Sequence, residues 1–247
     1  MKILLLDIET APNLAYVWGL WEQNIAINQI ADAGYVLCWS AKWLGEKKVM
    51  FDSVHRSNHT TMLKGIHKLL DEADVIIHYN GSKFDIPTLN KEFLTHKIAP
   101  PSPYKQIDLL KVSRGTFKFQ SNKLDYVGHT IGEGTKVKHP GFQLWIDCMA
   151  GVKSAWILME KYNKGDVTLL EKVYYRFRPW IRNHPNVAAY DAIDGCPSCS
   201  SVKLQRRGVT PPNQHGTRYQ RFQCGDCGAW ARSRVKVSKP NMTKAGA

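Results

Sequence analysis

Lys2–Leu6 is a nearly continuous apolar run closed by acids, the pattern of a strand buried on both faces. Tyr35–Trp43 and Lys48–Ser53 alternate as strands do. Met62, Ile66, Leu69 and Leu70 recur at helical spacing, with Asn58 or Thr60 placed to cap them. Asp74–Tyr79 is a further short β-branched run, and Ile86–Phe93 returns to helical spacing. Pro100, Pro101 and Pro103 then break the chain before Ile107–Leu110, read as another strand. Helices are predicted around Lys123–Ile131 and over Val152–Arg178, where Trp156, Met159, Tyr162, Leu169, Val173 and Phe177 are candidate packing residues. Three strands, then helix–strand–helix–strand, then more helices predict an α/β domain over 1–183 with a mixed sheet flanked by helices. Residues 184–195 read as a linker, 196–237 as a small separate module, and 238–247 as a disordered tail.

The composition, with 43% hydrophobic and 22% charged residues, is that of an ordinary globular protein. No stretch approaches the roughly 18 apolar residues of a membrane span. The apolar N-terminal run is too short for a signal peptide and is interrupted by Asp7. The expectation from these features is a cytoplasmic protein with no membrane partner; its placement in a bacterium or a phage-infected host cell rests on association with its short layout alone. The net charge of +13 is unevenly spread. Residues 196–247 hold ten Lys and Arg against the single acid Asp226, whereas the first 195 residues carry a net of only +4. A basic module beside a nearly balanced domain points to a polyanion; the alternative is a solubilising surface.

Three acidic clusters carry candidate chemistry. In Asp7-Ile8-Glu9, at the end of the first strand, residues i and i+2 project to one face, so two carboxylates share a site. A hard divalent cation offsets their repulsion; the alternative is acids that merely end a strand. Asn80-Gly81-Ser82-Lys83-Phe84-Asp85 follows the strand ending at Tyr79 and places Asp85 in the first turn of a helix, where it could also simply complement the dipole. Tyr162 and Asp166, four apart on the long helix, share one face. Gly165 beside them weakens the helix by about 1 kcal/mol relative to alanine and suggests a close approach.

In this order the clusters resemble the DEDD exonuclease superfamily, which includes the proofreading domains of DNA polymerases. Asp7-Ile8-Glu9-Thr10 is similar to its first motif, Asn80-x3-Phe84-Asp85 to its second, and Tyr162-x3-Asp166 to the third motif of its tyrosine subgroup. Lys161 stands where the histidine subgroup has His. Lys123-Leu124-Asp125-Tyr126-Val127-Gly128 is also similar to a segment of family B polymerase exonuclease domains. The resemblance covers roughly residues 1–180 and implies an RNase H-like fold with a five-stranded sheet. It further implies that Asp7, Glu9, Asp85 and Asp166 bind two Mg²⁺ or Mn²⁺ ions, about 3.5–4 Å apart in two-metal sites. Tyr162 would orient the attacking water, since a phenol with a pKa near 10 is a poor base at neutral pH. Asn80 and Phe84 would shape the substrate pocket, Phe84 alternatively serving as core. Asp108 is either an additional acid or structural. Trp18 and Trp21, in the long segment 11–34, match no motif of the family; core packing is their default reading, and flanking the cleft the alternative.

Cys196-x2-Cys199 and Cys224-x2-Cys227 form two knuckles that complete a closed tetrahedral shell for one structural Zn²⁺, with disulfides as the competing reading. Cys38 and Cys148 are isolated and read as buried thiols. Between and after the knuckles, Arg206, Arg207, Arg218 and Arg221 interleave with Tyr219, Phe222 and Trp230, a pattern suited to phosphates and stacked bases. A protein-docking ribbon is the alternative. The expected activity is a 3′→5′ exonuclease on single-stranded DNA 3′ ends in replication, recombination or repair, with proteins of those processes as possible partners. The alternatives are an exoribonuclease or structure-specific endonuclease on the same fold, or an inactive nucleic-acid-binding protein.

Overall fold

The computed structural model describes residues 1–213 and 215–238. The chain divides into two compact units, Lys2–Val173 and a smaller one formed by Tyr174 onward together with Met1.

The larger unit is built on one mixed sheet of five strands: β1 (Ile3–Thr10), β4 (Val36–Trp43), β5 (Met50–Ser53), β6 (Val75–His78) and β7 (Lys105–Asp108), in the order β5-β4-β1-β6-β7. β4 runs antiparallel to its neighbours β1 and β5, while β6 runs parallel to β1 and β7. This is the five-stranded mixed sheet that the resemblance implies. Leu4, Leu6 and Ile8 alternate with Leu5, Asp7 and Glu9, so β1 is apolar toward one layer and ends in acids toward the other. The first layer is α1 (His59–Glu72) and α2 (Asp85–Thr95), which bury Met62, Leu63, Ile66, Leu89 and Phe93 against the sheet. Asn58 is the cap of α1 and accepts from the Thr61 amide at 2.9 Å. The opposite layer contains α5 (Gln143–Met149) and α6 (Lys153–Phe177), whose Leu144, Cys148, Trp156, Met159 and Tyr162 pack on Leu37 and Cys38. Lys42 and Glu171 form a buried ion pair that ties α6 to β4.

Several elements differ from their sequence expectation. β1 continues through Thr10, so Asp7 and Glu9 lie within the strand and not past its end. The apolar run 107–110 is not one strand: β7 stops at Asp108, which caps α3 (Leu109–Thr116) by accepting from the amides of Leu110 and Lys111. Two short helices, α4 (Leu124–Thr130) and α5, fill the stretch before α6, and only the first has a counterpart in the sequence pattern. The segment between β1 and β4 is a small hairpin of β2 (Leu14–Ala15) and β3 (Ile30–Asp32). Its Trp18 and Trp21 are 98% and 83% exposed. Core packing is therefore the wrong reading of them: a two-stranded ribbon has no second layer to bury a ring against.

In the smaller unit, β8 (Leu204–Val209), β9 (Arg218–Cys224) and β10 (Trp230–Ser238) form an antiparallel sheet in the order β10-β9-β8. The expected linker 184–195 carries the short helix α7 (Val187–Tyr190), and the Val187 amide donates to Pro197 O at 2.7 Å. These residues are folded with the cysteine module and do not form a free connection. Of the expected tail, Ser238 closes β10, and 239–247 lie outside the described residues. Among the described residues, no helix is long and apolar enough to cross a membrane.

Candidate active site

The acids meet where β1 faces α6. Asp7, Glu9 and Asp166 each offer a carboxylate oxygen within 4.8 Å of the others. Asp85 joins them through the backbone: its Oδ1 accepts from the Ile8 amide at 3.1 Å, between the two acids of β1. A β-bulge follows directly after Glu9. Glu9 pairs with Cys38 but Thr10 with Val36, leaving Leu37 as the extra residue on β4.

Burial dominates the electrostatics. It is the largest cause raising Asp7 well above the ordinary carboxylate range, with Asp85, Glu9 and Asp166 adding repulsion. Burial again comes first in raising Glu9 to about 8 and Asp85 to about 7, and it also raises Asp166. Protein donors offset only part of this. Asn163 Nδ2 donates to Asp7 Oδ2 at 2.6 Å, and the Trp145 side chain hydrogen-bonds Glu9. Lys136 Nζ lies 2.5 Å from Asp166 Oδ2 and 3.2 Å from the Tyr162 hydroxyl. Asp166 Oδ1 remains buried without a hydrogen-bond partner. Four acids held beside one ammonium, with an orphaned carboxylate oxygen among them, fit a hard divalent cation.

Tyr162 is 7% exposed and packs against His139 and Trp145, with ring centroids 4.7 and 6.1 Å away. Burial first, then the charges of Asp166 and Glu9, raise its phenol above the ordinary value, so it carries its proton at neutral pH. Lys136, Val137 and His139 all lie on the irregular segment between α4 and α5. A Cβ at Gly165 would stand 3.0 Å from Val137 Cγ2, so the glycine gives this segment room against α6. Asp125 accepts from the Lys136 amide at 2.6 Å and fixes it from the other side.

A groove of about 820 Å³ reaches this cluster, with Asp7, Tyr162, Lys136, Lys123 and Arg114 on its walls. The sequence singles out Asp7, Glu9, Asp85, Tyr162 and Asp166, and the structure sets beside them Lys136, His139, Trp145 and Asn163, which the sequence does not single out. Asn163 had a detectable signal, since it directly follows Tyr162; the others sit on a loop or a short helix with no motif around them.

The turn of the second motif is built around Asp108. Its Oδ1 accepts from the Asn80 amide at 2.9 Å, and Ser82 Oγ donates to Oδ2 at 2.6 Å. Burial opposes the charge on Asp108, but these hydrogen bonds outweigh it and hold the carboxyl below its ordinary range. Asp108 is thus structural. Asn80 takes the left-handed conformation at φ 69°. A Cβ at Gly81 would meet the buried His78 ring at 2.5 Å, so only glycine fits there. Phe84 precedes α2 and is 43% exposed, which excludes it from the core.

In the smaller unit, the Sγ atoms of Cys196, Cys199, Cys224 and Cys227 lie within 4.8 Å of one another, with Cys196–Cys227 and Cys199–Cys224 each 3.6 Å apart. These gaps are far beyond the roughly 2.05 Å of a disulfide. They approach the edge of about 3.8 Å that a tetrahedron with 2.3 Å Zn–S bonds requires. All four cysteines are free, as are the buried Cys38 and Cys148. Among the four arginines picked out in this unit, Arg221 stands over the Trp230 ring at 5.6 Å. Arg232 stands over Tyr219 at 4.3 Å and pairs directly opposite Arg221 across the sheet. Arg207 bonds Gln205, Arg218 bonds Thr210 O, and Arg206 lies exposed on β8.

The sequence profile of the RNase_H superfamily matches residues 4–178. Among solved structures, the chain is similar to the family B DNA polymerase of the hyperthermophilic archaeon Pyrobaculum calidifontis, with a TM-score of 0.56 and 16% identity. That match covers 72% of this chain but 25% of the polymerase. No curated protein matches the chain.

Proposed function

The chain belongs to the RNase_H superfamily, and from that membership we propose that it is a metal-dependent 3′→5′ exonuclease acting on single-stranded DNA. The observation that carries this reading is the cluster of Asp7, Glu9 and Asp166 beside Tyr162 at a groove walled by basic side chains. Asp7, Glu9, Asp166 and Asp85 would hold two Mg²⁺ or Mn²⁺ ions. When bound, such ions stabilise charge on the attacking and leaving oxygens of an in-line displacement.

The residues of the chain supply position and selection. The protonated Tyr162 hydroxyl orients the attacking water and does not take its proton. Asn163 fixes the Asp7 carboxylate. Lys136 meets phosphate charge, and Arg114 and Lys123 extend the positive wall for the strand behind the terminal nucleotide. Asn80 and Phe84, in the turn before α2, would shape the substrate pocket. The exposed Trp18 and Trp21 offer faces for sequence-tolerant base stacking. In the smaller unit the four cysteines would hold one structural Zn²⁺, and the opposed Arg221 and Arg232 favour a polyanion, because like charges facing each other across a sheet repel.

The test is cleavage of a labelled single strand by the wild-type chain and by Asp7→Asn. Loss of cleavage with retained binding supports the reading; undiminished cleavage by the variant would remove the site from the chemistry.

A further inference from the structure

A second group of metal-ligand residues lies on the α1–α2 layer. His59 is the first residue of α1, Glu92 is in the last turn of α2, and His96 directly follows that helix. Each of the three offers a ligating atom within 4.8 Å of the others. His59 Nε2 stands 3.5 Å from Glu92 Oε2, and His96 Nδ1 stands 3.7 Å from the same oxygen. The two imidazoles meet edge to face at 4.7 Å between centroids.

This is an unusual way to bury a carboxylate. Glu92 is 3% exposed, yet its Oε2 faces two imidazoles at separations too long for good hydrogen bonds. His59 Nε2 is buried and has no hydrogen-bond partner. Donors bound to one tetrahedral ion at about 2.0–2.2 Å lie roughly 3.3–3.6 Å apart, and His59 Nε2 and Glu92 Oε2 stand at that spacing, 3.5 Å. His96 Nδ1 is also 2.9 Å from Glu92 O, the kind of outward bond to a main-chain carbonyl that orients a ligating imidazole and leaves Nε2 the lone pair. Lys91 pairs with the other oxygen, Oε1, at 2.9 Å and leaves Oε2 to the imidazoles. The His59 and His96 side chains are 28% and 25% exposed, so an ion has access.

We propose that His59, Glu92 and His96 form a binding site for one borderline divalent transition-metal ion, zinc by ligand type, separate from the acidic cluster and from the four cysteines. Two imidazoles and one carboxylate select Zn²⁺ and its neighbours over Mg²⁺, which prefers all-oxygen shells. Three protein donors leave one position for water. The site lies beneath the root of the β2–β3 hairpin. Lys91 Nζ donates to Gly34 O at 3.0 Å, and the Tyr35 ring is 5.5 Å from that of His59. An ion here ties the start of α1 to the end of α2 under the segment that carries Trp18 and Trp21.

The test is equilibrium dialysis of the full chain against Zn²⁺, with Mg²⁺ in large excess to occupy the acidic cluster. Bound zinc is counted for the wild type, His59→Gln, His96→Gln, Cys224→Ser and the His96→Gln/Cys224→Ser double variant. Each histidine variant is expected to bind one zinc fewer than the wild type, and the double variant one fewer than Cys224→Ser. Co²⁺ added to Cys224→Ser should give the visible d–d bands of tetrahedral nitrogen and oxygen coordination, and these should disappear in the double variant. If a histidine variant loses its helical circular dichroism, the size-preserving Glu92→Gln carries the same expectation. Equal zinc in the wild type and the folded variants overturns the proposal.

Discussion

Asp7, Glu9, Asp85 and Asp166 are each held where ionisation is unfavourable, and the fold accepts this at the one place where β1, α2 and α6 converge. A carboxyl whose folded-state pKa is raised keeps its proton over a pH range in which the unfolded chain, titrating near 4, has lost it. Linkage then requires its contribution to stability to fall as pH rises through that range. For Glu9 and Asp85 the window runs from about 4 to about 8 and about 7 respectively. The metal-free chain should therefore lose stability from pH 5 to 8. Millimolar Mn²⁺ should raise the melting temperature more at pH 8 than at pH 5, and thermal scans with Mn²⁺ or a chelator check this. An Mn²⁺ effect that does not grow with pH would contradict it. Asn163 holds Asp7 at 2.6 Å, so Asn163→Ala should reduce activity roughly 10–100-fold, the usual cost of losing a residue that supports a metal ligand. Tyr162→Phe should lower kcat by up to about 10²-fold through misplacement of water, without shifting the acidic limb of the pH profile. A shift in that limb would make the phenol a base.

At the scale of elements, Gly165 separates stability from activity. Alanine gains about 1 kcal/mol of helix propensity, but its Cβ would crowd Val137 at 3.0 Å and push on the segment carrying Lys136. Gly165→Ala should leave the melting temperature nearly unchanged while turnover falls; parallel thermal and rate measurements distinguish this from general destabilisation. The hairpin gives a converse case. Trp18→Ala with Trp21→Ala removes rings that are 98% and 83% exposed, so stability should move by less than about 0.5 kcal/mol per site. Binding of single-stranded DNA should weaken by roughly 1–3 kcal/mol for each ring removed from a stacked base, readable by fluorescence titration. What was legible in the sequence follows the same physics. β1, α1 and α6 declare themselves because each buries a long apolar face, and the acids of the three motifs lie on or next to such elements. Lys136, His139 and Trp145 were not legible, since irregular chain and a two-turn helix carry no period. The run 107–110 misled because four apolar-rich residues do not distinguish a strand from a helix start, and it took the hydrogen bonds of Asp108 to divide them.

At the scale of the whole molecule, the charge asymmetry gives the clearest expectation. The larger unit presents a groove with a few basic residues, while residues 196–247 carry a net of +9. If the arginines of the smaller unit meet phosphates, Arg206→Ala with Arg218→Ala should flatten the dependence of log affinity on log salt. On a single strand the slope should fall by about 0.7 for every phosphate that is no longer neutralised. Cleavage of short oligonucleotides should change little. An unchanged salt slope would instead assign this surface to a protein partner. The most direct test of the central claim is product length over time on 5′-labelled single-stranded DNA and matched RNA in Mg²⁺ or Mn²⁺, with a chelator and Asp7→Asn as controls. A descending single-nucleotide ladder on DNA, absent from both controls, is the predicted result. A ladder on RNA alone, internal cuts without a ladder, or binding with no cleavage would contradict it.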